Sequence, residues 1–373
     1  MQRREILKLI SATTLLAGTN LAAKSEPSAQ YPLLLNYNEN AIGMSESSKR
    51  AISQSLSIGS RYPDAQQEKL TEQIATAFKL APENVGIGSG SSQNIQSIIL
   101  ALAQRAKSQG LPIQLIAPNP TFNYAERYAK SVGVPVVLVG LKDDLSFDIE
   151  AMKKAAAGFN GLSVYYVCNP NNPTAMLTPS SVLNEWIKRE SDKFFLVDEA
   201  YAELVNDPSF ISAISLLQEK VKNLAVVRTF SKLYALAGQR VGYCLSSAEN
   251  IEEFNKFLSF DNANLAGLVA ASAVFADEEF KSYSLKSINL SRQIVTEALD
   301  KLGLSYADSQ ANFIFHKVGA DTREYAKNMK ARGIYVGRPF APFFNYNRLS
   351  LGTPEQMKEF VKVLFEFRKQ GLV

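Results

Sequence analysis

Short apolar runs alternate with amphipathic stretches along most of the chain. In Gln66–Phe78, apolar residues repeat at helical spacing and form one stripe. Helical patterns also cover Ser92–Lys107 and Pro179–Glu190. Between the helical patterns lie runs typical of strands buried on both faces of a sheet: Ile113–Ala117, Val134–Val139, Ser163–Cys168, Phe194–Val197, Leu224–Arg228 and Val241–Leu245. This alternation predicts an α/β fold, with helices covering both faces of the sheet.

The pattern changes after about residue 260. A long helical stretch, Glu278–Leu302, is followed by strand-like runs at Asn312–Val318 and Arg348–Leu351 and by a helix from Pro354. We therefore predict a large domain over residues 61–260 and a smaller C-terminal domain over 261–373. Residues 31–60 are expected to pack with the smaller domain.

Residues 1–30 have the layout of a cleavable export signal. A charged head precedes a mostly apolar stretch, Leu9–Ala23, and a polar Ser/Pro segment follows. Arg3 and Arg4 resemble a twin-arginine signal, whose pathway transports folded proteins. We expect a periplasmic or otherwise exported protein. The alternative is a cytoplasmic protein with a disordered or surface-bound N-terminus.

The composition limits the kinds of functional site that this chain can form. The net charge is +4, and half of it lies in residues 1–30, so the body of the chain offers no basic patch for nucleic acid. A single histidine, His316, leaves little room for a catalytic triad or a multi-histidine metal site. Cys168 and Cys244 lie in apolar runs and are expected to be buried free thiols. Acid–base chemistry must therefore fall to Lys, Asp, Glu or Tyr.

The strongest chemical signal is the segment Arg228–Tyr243. A strand ends, and Ser231 and Lys232 occupy the turn that follows it. A lysine in a partly dry pocket can lose its proton and form an imine with an aldehyde. Ser231 and Arg240 can hold a phosphate near that aldehyde.

Two strand-like runs upstream supply partners for a cofactor that carries this aldehyde and phosphate. Val164–Thr174 runs into an Asn-Pro loop that contains Asn172, and Phe194–Tyr201 contains Asp198 at a strand end. A buried aspartate needs a partner, and a protonated pyridine nitrogen is a suitable one. Asn172 and Tyr201 are placed to hydrogen-bond a phenolic oxygen on the same ring. The alternative role for Asp198 is a helix cap.

Two further segments suit a phosphorylated aromatic cofactor. Asn84–Ser92 is a glycine-rich turn that opens a helix, whose free N–H groups can bind an anion. Phe122 offers a ring to stack on the cofactor, although a packing role explains it equally well.

Taken together, these segments resemble the fold-type I pyridoxal-phosphate enzymes, and within them the class I/II aminotransferases nearest to histidinol-phosphate aminotransferase. The resemblance covers nearly everything after residue 33. It implies a large domain with a mostly parallel seven-stranded sheet, and a smaller α+β C-terminal domain. The shared motifs are Asn38–Asn40, Arg61–Asp64, Gly88–Ser92, Pro120–Phe122, Asn169–Thr174, Asp198–Tyr201, Thr229–Arg240, Ala311–Phe313 and Arg348–Thr353.

The resemblance implies pyridoxal 5'-phosphate as the cofactor and assigns residues to its ring. Lys232 matches the lysine that forms the Schiff base and moves the proton, and Asp198 matches the partner of the ring nitrogen. Asn172 and Tyr201 match the groups at the ring oxygen, and Phe122 matches the stacking ring.

The resemblance also assigns residues to the cofactor's phosphate. Ser91, Ser92, Ser231 and Arg240 match its binding cup. Tyr62 matches a tyrosine that reaches the phosphate in the neighbouring subunit, which implies a homodimer with shared sites.

Arg348 matches the arginine that binds the anionic group of the substrate, and Arg338 is the candidate for a second contact. An extra Gly337 precedes Arg338, where histidinol-phosphate enzymes tend to have the arginine directly after the valine. This difference argues against one phosphate shared by Arg338 and Arg348, and together with the leader it favours a plain amino acid as donor. The expected reaction is amino-group transfer between an amino acid, or an amino phosphate, and a 2-oxo acid. Decarboxylation or elimination on the same scaffold and a non-catalytic cofactor-binding module are the alternatives.

Overall fold

The computed structural model describes residues 32–319 and 321–373. The leader predicted for residues 1–30 lies outside them, so export stays a prediction. Within the described residues, no helix is long and apolar enough to cross a membrane.

The centre of the fold is a seven-stranded sheet. Its strands are β2 (Val85–Gly88), β3 (Ile113–Asn119), β4 (Val136–Gly140), β5 (Leu162–Cys168), β6 (Phe194–Asp198), β7 (Leu224–Thr229) and β8 (Gly242–Ser246). Their spatial order is β2-β8-β7-β6-β5-β3-β4. β8 runs antiparallel to both of its neighbours, and the other strands are parallel to one another. The predicted α/β class and mostly parallel sheet are confirmed.

Helices cover both faces of this sheet. Along β5, Tyr165 and Val167 belong to one apolar core, whereas Val164, Tyr166 and Cys168 belong to a second core on the opposite face. Burial on both faces explains why these strands appear in the sequence as nearly continuous apolar runs. The helices before residue 260 are α1 (Glu46–Ser55), α2 (Asp64–Phe78), α3 (Ser91–Ser108), α4 (Tyr124–Ser131), α5 (Ile149–Ala156), α6 (Ser180–Arg189), α7 (Ser215–Gln218) and α8 (Ala248–Asn255).

The C-terminal part is built from long helices and two small sheets. A strand near the start of the described chain, β1 (Leu33–Leu35), pairs in parallel with β10 (Ile334–Val336). β9 (Phe313–Lys317) and β11 (Tyr346–Ser350) form an antiparallel pair. The helices here are α9 (Leu265–Phe275), α10 (Glu278–Leu302), α11 (Thr322–Ala331) and α12 (Pro354–Lys369). α9 packs against α1 and α2, and α10 packs against α12; the predicted domain limits stay predictions.

The parallel strands bring the predicted chemistry to one edge. β5 ends at Cys168, β6 at Asp198 and β7 at Thr229, and Cys168 lies opposite Asp198 in the sheet register. The carboxyl ends of parallel strands share one edge, which is the usual place for a ligand in such sheets.

Candidate active site

A cavity of about 910 Å³ opens at this carboxyl edge. Of the twelve residues predicted from the sequence for the site, eleven line it. The exception is Tyr62, which lies just before α2 with 75% of its surface exposed. Side chains separated by up to 257 positions, from Ser91 to Arg348, thus share one site.

Lys232 follows β7 and reaches across the cavity to the N-terminal segment. Its Nζ donates to the backbone carbonyls of Asn38 at 3.1 Å and Tyr37 at 3.3 Å. It also lies 5.6 Å from the centre of the Tyr201 ring. Burial, with the positive charge of Arg348, lowers the pKa of Lys232 to about 8. Near neutral pH, roughly a tenth of the amine is therefore unprotonated and nucleophilic.

Asp198 is the last residue of β6 and is almost completely buried. Its carboxylate accepts hydrogen bonds from the Tyr166 hydroxyl at 2.8 Å and from the Ala200 N–H at 3.1 Å. Burial raises its pKa to about 6 despite these donors. A buried carboxylate held by neutral donors in an open cavity suits a cationic ligand atom, and a protonated pyridine nitrogen has that chemistry.

A second cluster of polar side chains surrounds the Tyr201 hydroxyl. It accepts hydrogen bonds from Asn38 Nδ2 at 3.1 Å and from Asn172 Nδ2 at 3.3 Å. Burial raises the pKa of Tyr201, so the hydroxyl keeps its proton and can donate it to a ligand oxygen.

The start of α3 forms an anion-binding cradle. The first N–H groups of an α-helix have no partner within the helix, and Ser91 and Ser92 occupy this first turn. A side chain at Gly90, where φ is +77°, would place Cβ 2.3 Å from Arg240 Nη2, and Cβ at Gly242 would lie 2.3 Å from the Ser91 nitrogen. Arg240 in turn donates to Ser92 Oγ at 3.3 Å. The absence of side chains at both glycines lets the cation and the free N–H groups converge, as a phosphate requires.

Aromatic side chains form another part of the wall. The Phe122 ring stacks on Tyr124 with their centroids 4.3 Å apart. Both residues line the cavity, so the stacked pair presents an apolar surface next to the polar groups.

Two arginines, Arg338 and Arg348, line a further part of the cavity wall. Arg348 on β11 is buried and donates to Asn172 Oδ1 at 2.8 Å and to the Asn36 carbonyl at 2.6 Å. Arg338 follows β10 and is exposed. The guanidinium carbons of Arg338 and Arg348 lie 4.2 and 5.3 Å from the centre of the Phe340 ring. Both guanidiniums therefore lie near the same ring, and Gly337 does not carry Arg338 away from Arg348.

Sequence reasoning assigned no individual role to three residues of this site. Asn38 belongs to a motif shared with the family, but nothing local to it points to Tyr201. Phe340 lies in an irregular stretch that offers no periodic signal. Tyr166 was within reach, because it lies two residues before Cys168 on β5 and therefore faces the same side of the sheet as Asp198.

The two cysteines and the histidine match the sequence interpretation. Cys168 and Cys244 are free and buried. His316 is buried on β9, outside the residues that line the cavity, and burial lowers its pKa to about 4. These properties of His316 fit a structural role.

The family model for aminotransferase class I and II matches residues 32–364, nearly all of the described chain. The chain belongs to this family. It is 34% identical over 331 residues to a histidinol-phosphate aminotransferase from Brevibacillus brevis, an alignment that covers 88% of each protein.

Solved structures agree with this assignment. A protein from Erwinia carotovora atroseptica, to which histidinol-phosphate aminotransferase activity is attributed, superposes with a TM-score of 0.88 at 36% identity and covers 92% of this chain and 97% of its own. The histidinol-phosphate aminotransferase from Sinorhizobium meliloti, solved with pyridoxal 5'-phosphate, shares the fold with a TM-score of 0.81 at 24% identity and covers 91% and 92%. This chain is an aminotransferase, and pyridoxal phosphate is its cofactor.

Proposed function

We propose that this aminotransferase moves an amino group between an amino acid, or an amino phosphate, and a 2-oxo acid, with Lys232 as its catalytic amine. The observation that supports this most is the placement of Lys232, Asp198 and Arg348 in one cavity. This chemistry needs three parts, which these residues supply in the same order: a nucleophilic amine, a partner for a ring nitrogen and a group that binds a substrate anion.

The residues present fit pyridoxal phosphate. We assign its phosphate to the cradle of Ser91, Ser92, Ser231 and Arg240, and its ring nitrogen to Asp198. When bound, the cofactor acts as an electron sink for the bond that breaks in the substrate.

The groups around the ring complete the assignment. The hydroxyl of Tyr201 and the amide of Asn172 are assigned to the phenolic oxygen, since the two already share a hydrogen bond. The face of Phe122, supported by Tyr124, is assigned to the ring plane.

Lys232 has two tasks in this proposal. Its lowered pKa supplies the unprotonated amine that could bond to an aldehyde cofactor, with loss of water. When it is not bonded to the cofactor, Nζ would be the base that takes a proton from the substrate and returns it. The carbonyls of Asn38 and Tyr37, which accept its hydrogen bonds, hold Nζ on this side of the cavity.

Arg348 binds the substrate's carboxylate in this proposal. Two of its N–H groups are engaged by Asn172 and Asn36, which fix the plane of the guanidinium. Nη1 and Nη2 each carry two N–H groups, and each of these hydrogen bonds uses one of them, so donors remain for a ligand. A planar two-point bond to a carboxylate is the characteristic use of such a group.

We further propose a homodimer, with Tyr62 of each subunit directed to the phosphate of its partner. The high exposure of Tyr62 in the single chain and its absence from the chain's own cavity support this role.

The experiment is product analysis with the cofactor-loaded enzyme. A panel of amino donors, histidinol phosphate among them, is offered with 2-oxo acid acceptors, and Lys232→Ala serves as the matched control. Formation of a keto acid together with an aminated acceptor is expected, and only in the wild type. Release of CO₂ without an aminated acceptor would show a decarboxylase instead. Turnover of histidinol phosphate with ordinary amino donors ignored would show that the donor is an amino phosphate and not a plain amino acid.

A further inference from the structure

The Tyr201 hydroxyl has one proton to donate, and its neighbours determine where that proton points. The oxygen has two lone pairs, and each accepts a hydrogen bond from a side-chain amide, Asn38 Nδ2 at 3.1 Å and Asn172 Nδ2 at 3.3 Å. Within the described parts of the chain, no group accepts a hydrogen bond from this hydroxyl. Its proton is therefore left for a ligand in the cavity, provided that both amides keep their nitrogen towards Tyr201.

Arg348 fixes the orientation of the first amide. An asparagine side chain can present either its oxygen or its NH₂ group to a neighbour, so the orientation depends on its other contacts. Arg348 Nη1 donates to Asn172 Oδ1 at 2.8 Å. Because a guanidinium only donates hydrogen bonds, it must face the oxygen of the amide, which leaves the Asn172 nitrogen for Tyr201.

Ser350 on β11 fixes the orientation of the second amide. Its hydroxyl accepts a hydrogen bond from the Asn38 backbone N–H at 2.8 Å and donates to Asn38 Oδ1, also at 2.8 Å. Ser350 is 2% exposed, and a buried hydroxyl needs an acceptor for its proton. Among the described residues, Asn38 Oδ1 is the acceptor that it has. The oxygen of this amide therefore faces Ser350, and its nitrogen faces Tyr201.

The backbone of Asn38 supports the same arrangement. Its φ is +54°, in the left-handed region, which asparagine adopts more readily than most residues with a side chain. Its carbonyl accepts hydrogen bonds from Lys232 Nζ at 3.1 Å and from Asn312 Nδ2 at 3.0 Å. All polar groups of Asn38 are thus engaged in a buried environment, and its side chain has little freedom to turn away from Tyr201.

We infer that Asn38 is a positioning residue that directs the Tyr201 proton towards the phenolic oxygen of the cofactor. The inference rests on the proposed placement of that oxygen beside Tyr201, and not on the identity of the amino donor or acceptor. In the opposite orientation, Asn38 Oδ1 would accept the Tyr201 proton, and the cofactor's oxygen would lose its donor. Asn38 and Ser350 are 312 positions apart, so the N-terminal segment and the C-terminal part together set this hydrogen bond.

The test compares two ligands on the full-length protein: pyridoxal phosphate and an analogue that lacks the phenolic oxygen. Equilibrium dialysis of the loaded protein gives a dissociation constant for each, and their ratio measures the preference for the phenolic oxygen. Asn38→Gly removes the amide and keeps a residue that adopts a positive φ without strain. We expect this variant to lower the preference about 2- to 12-fold, the effect of one hydrogen bond. An unchanged preference would overturn the inference.

Asn40→Ala is the matched control. Asn40 belongs to the same segment, but its amide donates to the Leu233 carbonyl at 2.8 Å and to Ser284 Oγ at 2.6 Å instead of Tyr201. This variant should weaken the anchoring of the segment and leave the preference for the phenolic oxygen unchanged. A loss of preference equal to that of Asn38→Gly would show a general loosening of the segment, and the positioning role would be wrong.

A double variant shows whether Asn38 acts through Tyr201. Tyr201→Phe alone should lower the preference at least as much as Asn38→Gly, because it removes the donated proton itself. Adding Asn38→Gly to Tyr201→Phe should then change nothing further. If the addition has the same effect as in the wild type, Asn38 acts by another route and the inference fails.

Asn38→Asp provides a second variant in case Asn38→Gly does not fold. Aspartate also tolerates the left-handed backbone and keeps an oxygen for Ser350, but it presents an acceptor to Tyr201 instead of a donor. The Tyr201 proton should then turn to this carboxylate, so the preference should fall at least as far as in Asn38→Gly. A preference equal to that of the wild type would contradict the inference.

Failure of the proposed function gives a different result. If Tyr201→Phe leaves the preference unchanged, the phenolic oxygen does not lie beside Tyr201, and its proposed placement fails together with the inference. If the preferences respond as expected but the wild type transfers no amino group, the proposed reaction fails and the role of Asn38 stands.

Discussion

Arg348→Lys tests the assignment of the substrate's carboxylate. In the structure the guanidinium is fixed by Asn172 Oδ1 at 2.8 Å and the Asn36 carbonyl at 2.6 Å, and lysine can replace only part of this geometry. The variant also loses the planar pair of N–H groups that binds a carboxylate at two points. Charge-assisted hydrogen bonds of this kind contribute roughly 1.5–3 kcal/mol, so kcat/KM should fall by about tenfold to over a hundredfold.

The assay is steady-state kinetics with the best amino donor, and the cofactor's absorption spectrum is recorded in parallel. We expect KM to rise steeply while the spectrum stays that of the wild type, because Arg348 does not contact Lys232 directly. Arg332→Lys is the matched control, since Arg332 pairs with Glu366 on the surface and should not affect either measurement. A kcat/KM within twofold of wild type, or a lost cofactor spectrum, would refute this account of Arg348.

Three further predictions address the cofactor partner, the dimer and the leader. The folded-state pKa of Asp198 is raised from 3.8 to about 6, so in the cofactor-free protein this carboxyl makes stability fall as pH rises from about 4 to 6. The Asp198→Asn variant should lose the part of this decrease in stability that Asp198 causes. Urea unfolding of both proteins at about pH 4 and pH 6 measures the difference, and an equal change in the free energy of unfolding in both would contradict the prediction. Tyr62→Phe should weaken cofactor retention by about 1 kcal/mol for one lost hydrogen bond, measured by dialysis, and a fully active monomer in sedimentation would exclude the shared site. Replacing both Arg3 and Arg4 by Lys should retain the protein inside the cell, and unchanged export in cell fractionation would rule out the twin-arginine route.

Much of the fold was predictable because its signals are local. The buried strands are apolar on both faces, so the predicted run Phe194–Val197 differs from β6 by one residue. The predicted limits of α10 agree with those observed. Polar residues at the ends of such strands stand out against the apolar pattern, which is why Asp198 and Lys232 could be identified.

The parts that could not be predicted depend on contacts between distant segments. The sequence predicts a glycine-rich turn over Asn84–Ser92, but Val85–Gly88 forms strand β2, because it pairs with β8. Asn38 reaches Tyr201 across 163 positions. Arg338 and Arg348 both lie near the Phe340 ring, at 4.2 and 5.3 Å from its centre, and no sequence pattern reveals this grouping.

Two loop positions carry backbone strain that the sequence does not reveal. Ala175 and Ala235 both have a left-handed backbone, with φ of +61° and +57°. An alanine in this conformation costs about 1–2 kcal/mol. The sequence shows only two small residues, whereas the structure shows the strain.

Lys232 is expected to hold the cofactor covalently, and the purified, cofactor-loaded protein is expected to be yellow. Borohydride reduction of this protein, followed by peptide mass spectrometry, tests the attachment directly. The absorption band should disappear, and the reduced cofactor should be found on Lys232, with none attached in Lys232→Ala. Attachment to a different lysine, or a covalent adduct that persists in Lys232→Ala, would show that Lys232 is not the attachment site.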